Sequence, residues 1–302
     1  MYRIKKTHKA LHTKINIMKL LSAVVLFSVM AIHLQAQIIS GKVLDASSAK
    51  PLEYVSLGVI DTHLGIVSNE KGEFSIDVKG QSSKAQVRVS MIGYKSQTFS
   101  IEDLANKENI LKLETEPVQL GEVTVKPFSG KLKKAGTTGY TSHGGRCGWG
   151  GTQKGQGYEI GTKIELGTSP VLIRSLHVCL YRQSFESSLF RLHIRNIVNN
   201  LPSQELLTEN ILLPLTKSSG WIDIDLKKYN LVFNGDIALT LEWVNVTAST
   251  KSKLIKVNNK QEYCVLFYEK QKQGGAYTKW GSESKWIWKD GSSPCFYLTV
   301  HE

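Results

Sequence analysis

The residues with the clearest potential for chemistry are four acids in the second half of the chain. Asp223 and Asp225 lie two positions apart in WIDIDL, so a strand would place both on one side, and Asp236 and Glu242 belong to the next alternating segment. Two carboxyl groups roughly 5 to 9.5 Å apart can hydrolyse a glycosidic bond. Acids at alternate positions also keep one strand face in water. The second interpretation is favoured, so we expect no catalytic residue among them.

A second set combines imidazole and thiol groups. If the strands that carry His177, Cys179 and His193 paired as a hairpin, the three side chains would meet on one face, as ligands that zinc accepts. Their spacing matches neither a zinc finger nor a peptidase site. We therefore expect solvated side chains and no metal.

The third set is aromatic and predicts binding. The segment KWGSESKWIWKDG contains Trp280, Trp286 and Trp288, and Tyr277 precedes it. The C–H faces of sugars pack on flat rings while neighbouring polar groups bond to their hydroxyls. The alternative is that these rings fill the core, since tryptophan is highly buried on average. We retain the four aromatic residues as candidate glycan-binding residues.

These candidates must be positioned by strands, because alternation of apolar and polar residues dominates the chain. In GIVSNEKGEFSIDV, Phe74, Ile76 and Val78 share one face, and the NEKG turn places Gly72 where a positive φ is needed. Similar short segments fill residues 37–126 and predict an antiparallel sandwich. A calcium site is the alternative function of the turn, with the oxygen ligands Asn69, Glu70, Glu73 and Asp77. The structural role is favoured.

Five segments of this region, in order, carry a resemblance. ISGKVLD, PLEYVSLGV, GIVSNEKGEFSI, VRVSMIGYKSQ and LGEVTV resemble the carboxypeptidase regulatory-like domain over residues 38 to about 125. The resemblance implies a small transthyretin-like sandwich, common in exported proteins of Gram-negative bacteria. In the enzymes that give the family its name, the module accompanies a separate zinc peptidase domain. No histidine of this chain begins an H-x-x-E motif, so no peptidase signature is present.

The remainder of the chain predicts a linker and a second domain. Residues 127–157 are rich in glycine, lysine, serine and threonine, and indicate a linker. From residue 158 to 302 the alternation returns in longer segments; SLFRLHIRN, for example, places Phe190, Leu192 and Ile194 on one face. We expect a larger, jelly-roll-like β-sandwich of eight strands.

The N-terminus predicts export. The first nineteen residues carry six basic side chains and no acidic one, and an apolar run follows at residues 20–32. This pattern is typical of a signal peptide over residues 1–36, with cleavage after Ala36. The run is shorter than the about 20 apolar residues of a spanning helix. Cleavage reduces the formal charge from +12 to about +6, so the composition does not favour nucleic-acid binding.

The cysteines Cys147, Cys179, Cys264 and Cys295 all lie in the second half. An oxidising compartment permits three complete pairings, of which sequence selects none. A Cys264–Cys295 bridge between the last strands is the pairing we predict, and buried thiols are the alternative.

Together these patterns predict an exported, all-β protein with an N-terminal transthyretin-like sandwich and a larger C-terminal one. It would reside in the periplasm, at the outer membrane or outside the cell, without an integral membrane segment. We expect a binding or assembly module for a glycan, a peptide or an envelope protein, with no cofactor and no catalysis. The alternative is a polysaccharide-acting hydrolase with acids in the C-terminal sandwich.

Overall fold

The computed structural model describes residues 38–116, 130–142, 146–150, 156–247, 254–257 and 260–302. The predicted signal peptide lies outside these residues. Within them, no helix is long and apolar enough to cross a membrane.

The first domain contains two sheets. Its elements are β1 (Ile38–Asp45), β2 (Ser56–Val59), β3 (Gly65–Val67), β4 (Glu73–Asp77), β5 (Gln86–Ser90), β6 (Gln97–Ser100), α1 (Ile101–Leu104) and β7 (Glu108–Leu113). One sheet has the order β4-β1-β7, with β7 parallel to β1, and the other has the order β3-β2-β5-β6. The predicted sandwich is confirmed, but it is not wholly antiparallel, because β1 and β7 run in the same direction.

The core of this domain follows from the alternation. Phe74, Ile76 and Val78 are buried, whereas Ser75 and Asp77 on the same strand are exposed. They pack with apolar side chains from both sheets and from α1. The short helix begins with a capping box, in which the Ser100 and Asp103 side chains each bond to the other residue's backbone.

The NEKG turn has the predicted structural role. Asn69 Oδ1 accepts hydrogen bonds from the backbone N–H groups of Lys71 and Glu73, each at 2.9 Å. Gly72 has φ +72°, and a Cβ there would lie 2.6 Å from the carbonyl oxygen of Val43. The turn therefore needs glycine both for its backbone conformation and for its close approach to β1.

A Gly72→Ala substitution is expected to lower the free energy of unfolding by more than the about 1–2 kcal/mol that a left-handed conformation costs a non-glycine residue. Gly80→Ala is the matched control, because Gly80 has φ +82° but open space around its missing Cβ. Urea denaturation of both variants separates the steric clash from the backbone cost. Equal losses would show that the contact with Val43 does not matter.

The second domain is larger and continues to the C-terminus. Its strands are β8 (Leu132–Gly136), β9 (Arg146–Gly150), β10 (Tyr158–Glu165), β11 (Val171–Gln183), β12 (Ser187–Val198), β13 (Leu201–Glu205), β14 (Leu212–Leu215), β15 (Gly220–Asp225), β16 (Val232–Phe233), β17 (Asp236–Thr247), β20 (Cys264–Trp280), β21 (Ile287–Pro294) and β22 (Phe296–His301). A separate hairpin pairs β18 (Ile255–Val257) with β19 (Lys260–Glu262).

Two strands occupy the segment that we predicted as a linker. β8 pairs with β22, and β9 pairs with β20, so residues 132–136 and 146–150 belong to the second domain. The prediction of a linker over 127–157 is wrong for these residues. Their lysine and glycine content gives no recognisable strand pattern, because an exposed edge strand needs little apolar alternation.

The two layers of the second domain meet at the long strand β20. One layer contains β12, β17 and β10, and the other contains β11, β15 and β22. β20 pairs with β10 at one end and with β11 at the other. The apolar faces enclose one core, in which Phe190, Leu192 and Ile194 are buried as predicted. The described part of this sheet system has 13 strands, more than the eight expected.

The four cysteines are thiols in this structure, so the predicted Cys264–Cys295 bridge is not formed. Cys264 Sγ lies 4.0 Å from the Ser184 hydroxyl, and Cys295 Sγ donates to the Gly139 carbonyl at 3.0 Å. Cys295 instead lies opposite Cys179, whose backbone N–H donates to the Cys295 carbonyl at 3.0 Å. Burial raises the pKa of Cys179 to about 11 and that of Cys295 to about 12.

We expect oxidation to join Cys179 to Cys295. Opposite residues of antiparallel strands have Cα atoms about 4.5–5.5 Å apart, and disulfides span about 4.4–6.8 Å. Refolding in a glutathione redox buffer, followed by non-reducing peptide mapping, should give the 179–295 linked peptide. A linked peptide that contains Cys264, or a protein that remains fully reduced, would contradict the prediction.

A candidate binding cleft between the domains

A cleft of about 830 Å³ lies where the two domains meet. From the first domain, the lining residues include Arg88 on β5 and the segment that follows to Ser96, with Tyr94. The second domain lines the cleft with side chains of β10, β12, β13, β17 and β20. The turn 281–284 and Trp286 complete the wall. Both domains are therefore needed to form the cavity.

Strand register explains the polar wall of the second domain. Lys279, Glu159, Glu242 and Arg191 occupy one row across β20, β10, β17 and β12. The next row, one residue along each strand, points into the core with Ile160, Leu241 and Leu192. Because side chains alternate across a sheet, the same strands build the core and the cleft.

Arg191 and Glu242 form hydrogen bonds that connect the two domains. Arg191 Nη1 lies 2.6 Å from Glu242 Oε2 and donates to the Ser56 hydroxyl at 2.9 Å, while its Nη2 donates to the Tyr54 carbonyl. The Ser56 hydroxyl in turn donates to Glu242 Oε1 at 2.9 Å. Tyr54 and Ser56 belong to the first domain, so this buried ion pair is also an interdomain contact.

A second group of charges lies beside this pair. Arg195 Nη1 lies 2.6 Å from Glu159 Oε2, and Lys279 Nζ lies 2.7 Å from Glu159 Oε1. His193 Nδ1 lies 2.6 Å from Glu205 Oε2, and Nε2 lies 3.2 Å from Glu242. Each carboxylate is thus held by at least one cation, and His193 connects the two groups.

The surroundings of these groups shift their pKa values toward the charged forms. Burial opposes ionisation of Glu242, but Arg191 and His193 outweigh it and lower its pKa to about 2. Burial likewise opposes ionisation of Glu159, and the charges of Arg195 and Lys279 hold the pKa of that carboxyl well below its usual range. For His193, burial and Arg195 act against protonation, and the facing carboxylates still raise its pKa.

Glu283 differs from the other acids of the cleft. Burial raises its pKa, although Arg88 opposes this at 3.9 Å. The residue belongs to the turn that meets the first domain, where the Asp61 N–H donates to the Glu283 carbonyl at 3.1 Å. The cleft therefore contains one carboxyl group whose pKa is raised and three whose pKa values are lowered.

The predicted aromatic residues occupy three environments. Trp286 is half-buried in the cleft wall, with Lys279 Nζ and Arg195 Cζ 4.9 and 5.4 Å from its ring centroid. Trp288 packs at 4.6 Å on Tyr277, which is buried. Trp280 is 41% exposed and contacts Tyr158 edge-on, outside the cleft lining. The four residues do not form one platform, and only Trp286 lines the cleft.

The predicted acids and metal ligands are not brought together. Asp223 and Asp225 are exposed on β15, in the layer opposite to Glu242, while Asp236 bonds to Lys163 at the far end of β17. His177 and Cys179 lie on β11 and His193 on β12, which belong to different layers and are not paired. Among the described residues, no group of three histidines, cysteines or acids could hold a metal.

Sequence reasoning missed Glu159, Glu205, Arg191 and Arg195. The alternation placed Arg191, His193 and Arg195 opposite to the core, and the structure confirms that face. All three are nevertheless buried, because the first domain and β13 cover them. The sequence signal that could have indicated this buried cluster is the presence of three charged or ionisable residues at alternate positions of one strand.

By its fold and its cleft, the chain is a two-domain β protein with a charged cavity between the domains. Its first part is assigned more closely: residues 39–125 match the family model of the CarboxypepD_reg-like domain. This stretch therefore belongs to the carboxypeptidase regulatory-like domain family, as the sequence resemblance predicted.

Solved structures resemble the chain at low identity. The cysteine protease and lectin-like domains of Cwp84, a surface-layer-associated protein of Clostridium difficile, match with a TM-score of 0.36 and 14% identity over 90% of this chain. The match spans 60% of that protein. Carbohydrate-binding modules of the β-sandwich superfamily match with a TM-score of 0.19 and 11% identity, covering 77% of this chain and 96% of theirs. None of the curated proteins matches.

Proposed function

We propose that this chain is an exported envelope protein that binds a neutral glycan in the interdomain cleft, without turning it over. The observation that carries the proposal is the row of counter-charged side chains beside Trp286. A half-buried indole offers an apolar surface to a sugar ring, and fixed carboxylates and guanidinium groups offer acceptors and donors to its hydroxyls.

The balance of charge supports a neutral ligand. Five glutamates and five arginine or lysine residues line the cleft: Glu116, Glu159, Glu205, Glu242 and Glu283, and Arg88, Lys95, Arg191, Arg195 and Lys279. A cavity for a polyanion would show an excess of cations. The side chains are also already ordered by their mutual ion pairs, so a ligand that meets them pays little side-chain entropy.

The test is a glycan array probed with the full mature chain. We expect retention on neutral oligosaccharides that persists at high salt, because the contacts would not depend on a net charge. Binding restricted to sulfated or uronic-acid glycans and lost with salt would overturn the proposal of a neutral ligand. Absence of binding to every glycan would overturn glycan recognition itself.

Glu283 supports a second candidate, a polysaccharide-acting hydrolase. A carboxyl with a raised pKa near carboxylates with lowered pKa values is the arrangement of an acid and its ionised partner. An argument against hydrolysis is that Glu159 and Glu242 each form ion pairs with basic side chains, which makes them poor nucleophiles. Incubation of array-positive glycans with the protein separates the candidates: release of reducing ends that Glu283→Gln abolishes would favour hydrolysis.

A further inference from the structure

A hydroxyl, an imidazole and a carboxylate are connected on the outer face of the other layer, away from the cleft. His177 Nε2 lies 2.9 Å from Ser175 Oγ, and His177 Nδ1 lies 2.5 Å from Asp223 Oδ1. Ser175 and His177 are two apart on β11, and Asp223 is the register partner of His177 on β15. Alternation therefore places the three on one face of the sheet.

The order of atoms is that of an activated nucleophile. A base that bonds to a hydroxyl through one nitrogen and to a carboxylate through the other can accept the hydroxyl proton, because the carboxylate orients the ring and stabilises the imidazolium. The Tyr297 ring stacks on His177 at 4.2 Å and 8°, which fixes the imidazole plane. Asp223 is exposed and the site lies on a sheet surface, so the reacting group must reach it from outside.

We propose that Ser175 is a nucleophile for carboxylic esters, with His177 as its general base and Asp223 as the positioning residue. This site is independent of the cleft and of the glycan proposal. Because the site is a flat strand face, the substrate class is an acyl ester carried on a larger molecule that can lie across the sheet. Trp221 and Tyr297, which contact each other edge-on at 5.3 Å, border the site with apolar surface.

The step balances with water as the only co-reactant. Ser175 Oγ forms a bond to the ester carbonyl carbon as its proton passes to His177 Nε2. The ester C–O bond then breaks, and the leaving alkoxide takes that proton. Water, deprotonated by the same nitrogen, attacks the acyl-serine, which releases the carboxylic acid and restores the Ser175 hydroxyl.

One neighbour competes for the same nitrogen. Thr299 Oγ1 lies 2.8 Å from His177 Nε2, so either hydroxyl can donate to it. Thr299 is β-branched and its χ1 is restricted, which limits its ability to turn toward a substrate. We assign the nucleophile to Ser175, and Thr299 takes no part in the step.

The experiment is labelling of the full chain with a fluorophosphonate probe, in which a serine oxygen replaces fluoride on phosphorus. We expect a single adduct on Ser175, located by peptide mass spectrometry, and slow hydrolysis of p-nitrophenyl acetate. Ser175→Ala should remove the adduct. His177→Asn should lower the labelling rate by at least about 100-fold, the low end of what a positioned base contributes. Asp223→Asn should lower the rate, and Asp223→Glu should restore part of it.

Thr299→Val is the matched control and should label no more slowly than the wild type, because it removes only the hydroxyl that competes for His177 Nε2. Thermal unfolding of each variant shows that the fold is kept, and urea-denatured protein should not label. Three results would overturn the proposal: no labelling of the folded wild type above the denatured level, labelling that survives in Ser175→Ala, or an adduct located on Thr299.

Discussion

Arg191→Ala is expected to lower the free energy of unfolding by about 3–5 kcal/mol, the cost of breaking a buried ion pair from one side. Arg191 and Glu242 are 1% and 2% exposed, so the substitution leaves a buried carboxylate without its closest cation. It also removes the hydrogen bonds to Tyr54 and Ser56 that join the domains. Urea denaturation followed by circular dichroism measures the loss.

Two further variants identify the cause. Arg182→Ala, at an exposed position on β11, should change stability by no more than about 0.5 kcal/mol. The double variant Arg191→Met with Glu242→Met should be more stable than Arg191→Ala, because it leaves no unpaired carboxylate. If the double variant were the less stable of the two, the loss would come from packing rather than from the uncompensated charge.

Trp286→Ala is expected to weaken glycan binding by at least about tenfold, or about 1.4 kcal/mol. The indole is an aromatic ring of the cleft wall, and loss of a central aromatic contact usually dominates a binding site. Trp280→Ala is the matched control, since Trp280 is exposed but lies outside the lining. Isothermal titration with the strongest array ligand compares both variants with the wild type.

The two substitutions distinguish the cleft from the platform that the sequence suggested. If Trp280→Ala weakened binding as much as Trp286→Ala, the ligand would contact the exposed C-terminal end of β20 rather than the cavity. If neither did, the binding surface would be elsewhere on the molecule.

The core of each domain could be predicted from alternation, but the buried charges could not. On β12 the pattern identified Phe190, Leu192 and Ile194 as core residues, since one face of every strand must leave water. The opposite face carries Arg191, His193 and Arg195, and the same pattern predicts that it is wet. Their burial depends on where the first domain sits, and periodicity within one strand holds no information about that.

The other differences between the sequence predictions and the structure also arise from how the strands are arranged in space. A zinc set was conceivable only if β11 and β12 formed a hairpin, yet adjacent strands in the sequence lie here in opposite layers. Strand β8, with the sequence LKKAG, has no apolar alternation because it adds to the edge of a sheet through backbone hydrogen bonds. The Cys295 carbonyl accepts from the backbone N–H of Cys179, so topology places Cys295 beside Cys179.

The most direct test of the cleft as the binding site is a crystal structure of the protein with the tightest oligosaccharide found on the array. We expect sugar density between Trp286 and Arg88, in contact with residues of both domains. Density on Trp280, or on the outer face around Trp221 and Tyr297 with the cleft holding only solvent, would contradict it.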